Sequence, residues 1–411
     1  SLYGIAGVSI QAARDRYLDY SVSRELQSLG ENTVAYRALQ QVDGILGSSG
    51  ADGLRAALSN FFNSFSALSS APEDAVLRQQ VLSRANELAG EFRRIYTAVQ
   101  QVQTAADGST AHTVDAINSI TAQIAVLNER IAAARQEHSG SESMLCDSRR
   151  QLLETLSGLV DISYFETESG AMTVATRQGG LLVLEGGNRE LSLTRTEGEE
   201  FLRVQLGGRD ITDLVESGEL GALIRLRDHT LAGTLSALDT MAVAIASRVN
   251  EQHALGCDLD GEPGEDLFVP FVEVVPGSVK GAARAMRVSI TDASRIAAAA
   301  AGTGVGDNSN ARLLAAIAEE KLFVDATQTS IEFYGALLYR IGSDESAAGE
   351  NMETQAALIE QLRNQRSALS GVNLDEEAVN IIQYQKAYQA SSRLAGVLDA
   401  LSSEILDLLG S

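Results

Sequence analysis

The residues grouped densely enough to suggest a metal site are the acidic side chains between Asp258 and Asp266. Carboxylates are preferred Ca²⁺ ligands, and an EF-hand loop that starts at Asp258 would need glycine at its sixth position and glutamate at its twelfth. Those positions hold Pro263 and Val269. We therefore interpret the segment as a solvated acidic turn in preference to a calcium site.

The other residues that could do chemistry do not combine into a centre. The four histidines are His112, His138, His229 and His253. They form neither an HExxH motif nor an i, i+4 pair, so each is expected to be a surface or half-buried polar residue. Cys146 and Cys257 lack metal or redox spacing and are interpreted as buried free thiols. The glycine-rich turn Gly302–Gly306 is not followed by the residues of a phosphate loop and is interpreted as a hinge. We predict no catalytic, cofactor-binding or metal site and no enzymatic activity.

Charge restricts the class of partner. The 411 residues include 55 Asp+Glu and 32 Lys+Arg, which gives a net charge of −23. A chain with this negative charge provides few cations to bind a phosphate backbone or an anionic membrane surface. We therefore predict protein partners, no nucleic acid and no membrane. No run of about 18 apolar residues and no secretory leader pattern is found. Composition alone indicates a soluble, cytosolic protein.

Four segments have apolar residues at steps of three and four, which is typical of helices. They run from Leu18 to Leu39, from Leu77 to Val102 after Pro72, from Val114 to Ala134, and from Ile381 to Leu409. Narrow apolar stripes on long helices favour packing of helix against helix.

The middle of the chain has a different pattern. Short leucine and β-branched runs are separated by glycine pairs at 179–180, 186–187 and 207–208, which predicts a meander of hairpins. One helix is predicted there over about 223–251, and the prolines that follow favour loop and edge strand.

The sequence thus predicts a mainly α, α+β fold, a rod of long helices from both chain ends with an inserted small β-rich domain. The predicted segments are an N-terminal helical part over 1–160, the β-containing insert over 161–300, a C-terminal helical part over 301–370 and a C-terminal coiled-coil helix over 371–411.

The last helical segment allows two interpretations. Its apolar seam includes Ile381, Tyr384, Tyr388, Leu398 and Ile405. The helix either folds back on the chain's own rod or presents an assembly surface to another subunit or protein, and the sequence leaves both open.

Several short motifs occur in order along the chain. The most specific is N-x-x-H-x-x-G-x-D-x-x-G, from Asn250 to Gly261 within 248–264, and others lie at 147–153, 306–311, 370–378 and 383–391. The stretches 147–153, 248–264 and 306–311 resemble the FlgK family of bacterial flagellar hook-associated proteins, and the last two are similar to the C-terminal signature of rod, hook and hook-associated proteins. The alternatives are another axial protein, flagellin or the second junction protein, which should lack the motif at Asn250, and, less favoured, an enzyme or small-ligand-binding protein.

This resemblance implies a structural, non-enzymatic subunit without cofactors that joins hook to filament. It implies export through the flagellar type III apparatus without a cleaved signal peptide, and a location outside the cell in the flagellum. The implied partners are the hook protein, the second hook-associated protein, a FlgN-type export chaperone and further copies of the chain in a ring.

The resemblance also bears on the C-terminal seam. Family members open with a further helical segment that packs on the C-terminal helix, and this sequence has no counterpart at its start. We therefore expect the predicted assembly and chaperone interface to be exposed or covered by another molecule. It comprises Ile381, Tyr384, Tyr388, Leu398 and Ile405.

Overall fold

The structure is a computed structural model that describes residues 2–47, 53–137, 141–195, 198–273, 275–370 and 374–409. Its α-helices are α1 (Leu2–Leu46), α2 (Leu54–Leu68), α3 (Ala75–Gln136), α4 (Glu142–Leu159), α5 (Gly218–Arg225), α6 (Ala232–Ala254), α7 (Ala282–Ala285), α8 (Ser309–Ala316), α9 (Ser330–Ser370) and α10 (Leu374–Leu409). Its strands are β1 (Ile162–Glu166), β2 (Met172–Thr176), β3 (Leu181–Leu184), β4 (Gly187–Asn188), β5 (Leu191–Thr194), β6 (Arg203–Leu206), β7 (Arg209–Asp210), β8 (Gly256–Cys257) and β9 (Ala299–Ala300). The mainly α, α+β class expected from the sequence is confirmed.

Helix α3 runs unbroken through the second and third predicted helical segments. Asp74 caps its start, accepting hydrogen bonds from the amides of Val76 and Leu77 at 2.7 and 3.2 Å. The sequence had separated the two segments because polar residues interrupt the apolar stripe between them. Two of these residues, Gln103 and Asp107, are buried and form hydrogen bonds, so the helix and its packing continue through them.

The larger hydrophobic core joins helices from distant parts of the sequence. It combines the second half of α1, all of α2, the first half of α3, helix α6, the segment from Leu267 to Ala298, α8 and the start of α9. Phe61 is central, with its ring centroid 5.4 Å from that of Phe65 and 5.6 Å from that of Phe268. Aromatic pairs at this spacing add to the hydrophobic gain of burial.

The smaller core lies between helices and two antiparallel sheets. Side chains of α3 from Val114 to Ala125 and of α4 pack with the inward residues of the strands. The strand orders are β1-β2-β3-β4 and β5-β6-β7. Gly207 and Gly208, with φ of +59° and +80°, form the tight turn between β6 and β7, which confirms one of the predicted hairpins.

The long helix predicted over about 223–251 is present as α5, a π-helical turn at Leu226–Leu231 and α6. Leu220 and Ile224 pack in the smaller core, but Leu223 and the buried apolar residues from Leu226 onward pack in the larger one. Buried contacts therefore divide the stretch 161–300 between the two cores. The predicted segment limits stay a prediction.

The helical run Gly218–Ala254 is long and apolar enough to cross a membrane, with a mean hydropathy of 1.3. Core helices pass the same test, and Leu231, Leu238 and Ile245 of this run are completely buried in the larger core. We assign it to the protein interior.

The contacts group the chain into two compact units, Ser23–Leu358 and Ser1–Val22 with Ile359–Ser411. Both cores belong to the first unit. In the second unit, Leu18, Val22 and Ile359 are buried, and Arg366 pairs with Asp19 at 3.1 Å.

Candidate functional site

The acidic segment is a structured turn around a buried carboxylate, so the interpretation as a solvated turn was wrong for Asp258. This residue is 1% exposed, and its Oδ1 accepts hydrogen bonds from the amides of Asp260 and Glu262, both at 2.9 Å. Its Oδ2 lies 3.1 Å from Nη1 of Arg295. Within the described residues no three His, Cys, Asp or Glu side chains are placed to hold a metal ion. Asp258 shapes the turn.

His253 is completely buried, contrary to the expectation of a surface or half-buried residue. Its Nδ1 lies 2.6 Å from the carbonyl oxygen of Glu265, and its Nε2 accepts a hydrogen bond from the amide of Ala297 at 2.9 Å. The proton therefore sits on Nδ1, which donates to Glu265. Burial lowers the pKa of His253 to about 4 despite that hydrogen bond and the nearby carboxylates.

The other residues of the Asn250 motif fasten the same loop to α6. The side-chain amide of Asn250 donates to the carbonyl oxygen of Phe268 at 2.7 Å and accepts from its amide at 2.9 Å. A Cβ on Gly264 would stand 2.1 Å from the carbonyl oxygen of His253. Gly261 has a φ of +80°, which favours glycine. These contacts give the motif residues structural roles in the loop.

A second motif joins this loop from α8. Asn310 accepts a hydrogen bond from Gln252 at 2.8 Å and donates to the carbonyl oxygen of Ala297 at 2.6 Å. A Cβ on Gly256 would stand 2.1 Å from Nδ2 of Asn310, so this side chain fills the space beside Gly256. The motifs at Asn250 and at Gly306–Ala311 are thus two halves of one buried polar cluster.

The motif at Asp147–Leu153 forms a separate cluster beside the first sheet. Arg149 is buried, and its Nη1 donates to Oδ1 of Asn128 at 2.9 Å and to the carbonyl oxygen of Gly170 at 2.8 Å. Asn128 in turn donates to the carbonyl oxygens of Met172 and Glu185 at 2.8 and 2.7 Å. This cluster ties α3 and α4 to two turns of the sheet.

Two buried arginines with structural roles were not identified from the sequence. Arg78 donates to the carbonyl oxygens of Pro72 and Ile296, both at 2.6 Å. Arg227 in the π-helical turn pairs with Asp107 at 2.6 Å and with its neighbour Asp228 at 2.7 Å. One partner of each, Ile296 for Arg78 and Asp107 for Arg227, lies more than 100 positions away, so the local sequence does not distinguish these residues from surface arginines.

The cysteines are both free, and they differ in burial. Cys257 is buried, as predicted, whereas Cys146 is half-buried on α4. The interpretation of Gly302–Gly306 as a hinge stays a prediction.

The predicted C-terminal interface lies on α10, where the structure describes side chains from 381 to 398 and all of them are exposed. Tyr384 is 77% and Tyr388 78% exposed, and Ile381 and Leu398 are about half exposed. Ile405 falls outside the described side chains. The four described residues share one helix and one seam.

Exposed apolar residues also occur on α10 outside the predicted seam. Ile382, Leu394 and Val397 are each half exposed or more. At about 100° per residue, Leu394 and Val397 fall on the far side of the helix from Ile381 and Tyr388, and Ile382 lies a quarter turn or more from both. A helix that is apolar on several sides is normally enclosed by other elements. The predicted seam covers only one of these sides.

The comparisons with known proteins agree with the motifs. Residues 39–268 match the family described as the flagellar hook-associated protein FlgK helical domain, and residues 363–408 match the flagellar basal body rod FlgEFG protein C-terminal family. Flagellar hook-associated protein 1 of Bacillus subtilis is 30% identical over 99% of this chain and 86% of its own length. The Escherichia coli protein of the same name is 23% identical over 98% and 90%.

A solved structure has the same fold. The flagellar hook junction protein FlgK from Burkholderia pseudomallei superposes with a TM-score of 0.76 at 18% identity, covering 85% of this chain and all of that one. The resemblance inferred from the sequence motifs is confirmed.

Proposed function

The chain belongs to the FlgK family of flagellar hook-associated proteins, and from this premise we propose that it is a structural, non-enzymatic subunit joining the flagellar hook to the filament. It would act by packing against other subunits: copies of the chain assemble in the flagellum outside the cell, after export without a cleaved signal peptide. The proposed partners are the hook protein, the second hook-associated protein, further copies of the chain and a FlgN-type export chaperone.

One observation carries the proposal, the exposure of α10. Helices in water are stabilised mostly by burial of an apolar face, yet every described side chain of α10 from 381 to 398 is exposed. Apolar side chains on more than one side of the helix leave a surface suited to several neighbours at once. We assign this surface, which includes Ile381, Tyr384, Tyr388 and Leu398, to assembly and to chaperone binding.

The test replaces Tyr388 by aspartate, which places a charge in the apolar surface where a partner would bury it. We expect Tyr388→Asp to abolish decoration of purified hook tips in electron micrographs and to abolish chaperone binding. The melting temperature should change little, because Tyr388 is 78% exposed.

Tyr339→Asp is the matched control, since Tyr339 on α9 is also 78% exposed but lies outside α10. It should decorate hook tips as the unchanged chain does. Failure of the unchanged chain to decorate hooks would contradict the proposed function. Global unfolding of Tyr388→Asp would instead make the seam part of the chain's own core.

A further inference from the structure

A groove of about 440 Å³ lies in the unit Ser23–Leu358. Its floor is formed by small residues of α6, including Ala242, Val243 and Ala246. Its two sides are the extended segment Val269–Val272 and the segment from Lys280 to Arg287, which contains α7.

The groove begins where a short antiparallel pairing ends. Phe268 bridges Val288, the amide of Val269 donates to the carbonyl oxygen of Arg287 at 2.9 Å, and the amide of Ser289 donates to that of Leu267 at 2.8 Å. Beyond this point the partner segment turns into α7 and no longer pairs with the extended one. The segment Val269–Val272 therefore continues past the pairing without this neighbour.

The backbone of this segment is available. In the part of the chain that the structure describes, the amide of Phe271, two residues after the paired amide of Val269, donates no hydrogen bond. Val272 is 78% exposed, and Phe271 is half-buried at the groove. Unpaired amides beside apolar side chains are the features by which a sheet edge accepts an added strand.

The charge at the groove is opposite to that of the molecule. Its lining includes Lys280, Arg284 and Arg287 and no carboxylate, on a chain with a net charge of −23. Lys280 pairs with Glu200, but among the described residues Arg284 and Arg287 form no ion pair, and both are exposed. Two exposed guanidinium groups at an apolar groove complement a carboxylate-bearing ligand.

We propose that this groove docks an extended, acidic segment of a partner protein. The segment pairs its backbone with Phe271, places an apolar side chain against Val243 and Ala246, and sets carboxylates against Arg284 and Arg287. None of these residues belongs to α10, so this proposal and the proposed function are tested independently.

The test is a selection of displayed random dodecapeptides on the immobilised full chain, followed by fluorescence polarisation with the enriched peptides. We expect enrichment of sequences that alternate apolar residues with Asp or Glu. Their affinity should fall at least about tenfold in the Arg284→Glu/Arg287→Glu variant and should weaken as salt is raised, because exposed charge pairs are screened.

Two further variants distinguish binding in the groove from nonspecific effects of mutation on the chain. Val243→Trp fills the floor and should also remove binding, with circular dichroism reporting an intact fold. Arg312→Glu reverses an exposed charge on α8 outside the groove and should leave affinity unchanged. Enrichment of peptides that are insensitive to both groove variants would overturn the proposal, as would failure to enrich any. A concentration-dependent dimer of the chain that the double variant abolishes would overturn it too, because a second copy would then be the occupant.

Discussion

His253 and Asp161 are buried titratable residues whose neutral forms are favoured, and their effects on stability have opposite signs. His253 keeps both ring nitrogens in hydrogen bonds, with burial lowering its pKa to about 4. Asp161 is 1% exposed, its Oδ1 has no hydrogen-bond partner, and burial raises its pKa to about 6. Each pKa departs from its unfolded value in the direction of the uncharged form.

Lowering the pH from 7 to 5 should therefore reduce the free energy of unfolding through His253. This loss should be largest when Asp161 is replaced by asparagine. The unfolded chain binds a proton at histidine near pH 6.5 but the folded chain only near pH 4, so His253 contributes a loss of about 2 kcal/mol of stability by pH 5. Asp161 protonates earlier in the folded chain and offsets about 1 kcal/mol of that loss. Urea unfolding of Asp161→Asn should show the steeper acid loss.

His253→Gln supplies the control for this prediction. It removes the titrating ring, so its stability should fall less between pH 7 and pH 5 than that of the unchanged chain. Carboxylates elsewhere are common to all variants and cancel in the comparison. Equal pH dependence in all three chains would show that neither buried group changes its pKa on folding.

The sequence identified the motif that contains His253 but not the burial of its side chains. Its pattern from Asn250 to Gly261 was evident, yet the partners of Asn250 and His253 are backbone groups of Phe268, Glu265 and Ala297. Backbone groups carry no sequence signature, so a polar residue that binds them looks like a surface residue. Burial of these side chains could be known only from the tertiary structure.

At the scale of elements, the helices could be predicted well and their continuity could not. The apolar stripes of α3 were correctly identified on both sides of residues 103–113. The stripe is interrupted because Gln103 and Asp107 occupy core positions and bind Arg227, which lies in another helix. A seam that is completed by a buried ion pair appears broken to any analysis of apolar spacing.

The loop between β8 and β9 contains a glycine that leaves no room for a methyl group. In Gly264→Ala the new Cβ would stand 2.1 Å from the carbonyl oxygen of His253, a backbone atom that cannot move without displacing α6. We expect a loss of about 3 kcal/mol in the free energy of unfolding, typical of overpacking at a rigid site. Urea denaturation followed by circular dichroism would measure it.

Gly304→Ala is the matched control for that change. Nothing lies within 4 Å of the Cβ position of Gly304, so its substitution should alter stability by about 0.5 kcal/mol or less. Similar losses in both variants would mean that the contact at Gly264 is not what constrains the loop.

At the scale of the whole molecule, the sequence predicted the class of fold and the flagellar family, whereas the division of the interior required the structure. The predicted insert over 161–300 followed a change in local pattern. The buried contacts do not follow that pattern: α6 and the loop after it pack in the larger core beside α2 and α3. Local pattern reports which element forms, but which core an element joins depends on residues hundreds of positions away.

The contrast between α3 and α10 leads to a prediction about the free chain and the assembled one. Both are long helices, but α3 buries residues along its whole length, whereas the described side chains of α10 are exposed. Protection of a helix amide from exchange depends on the tertiary contacts that must open with it.

In hydrogen exchange followed by mass spectrometry, amides of 381–398 in the free chain should exchange about a hundredfold faster, or more, than those of 81–99. On hook tips the difference should shrink, because partners would then cover α10. Strong protection of 381–398 in the free monomer would instead mean that the helix is already packed and is not the assembly element.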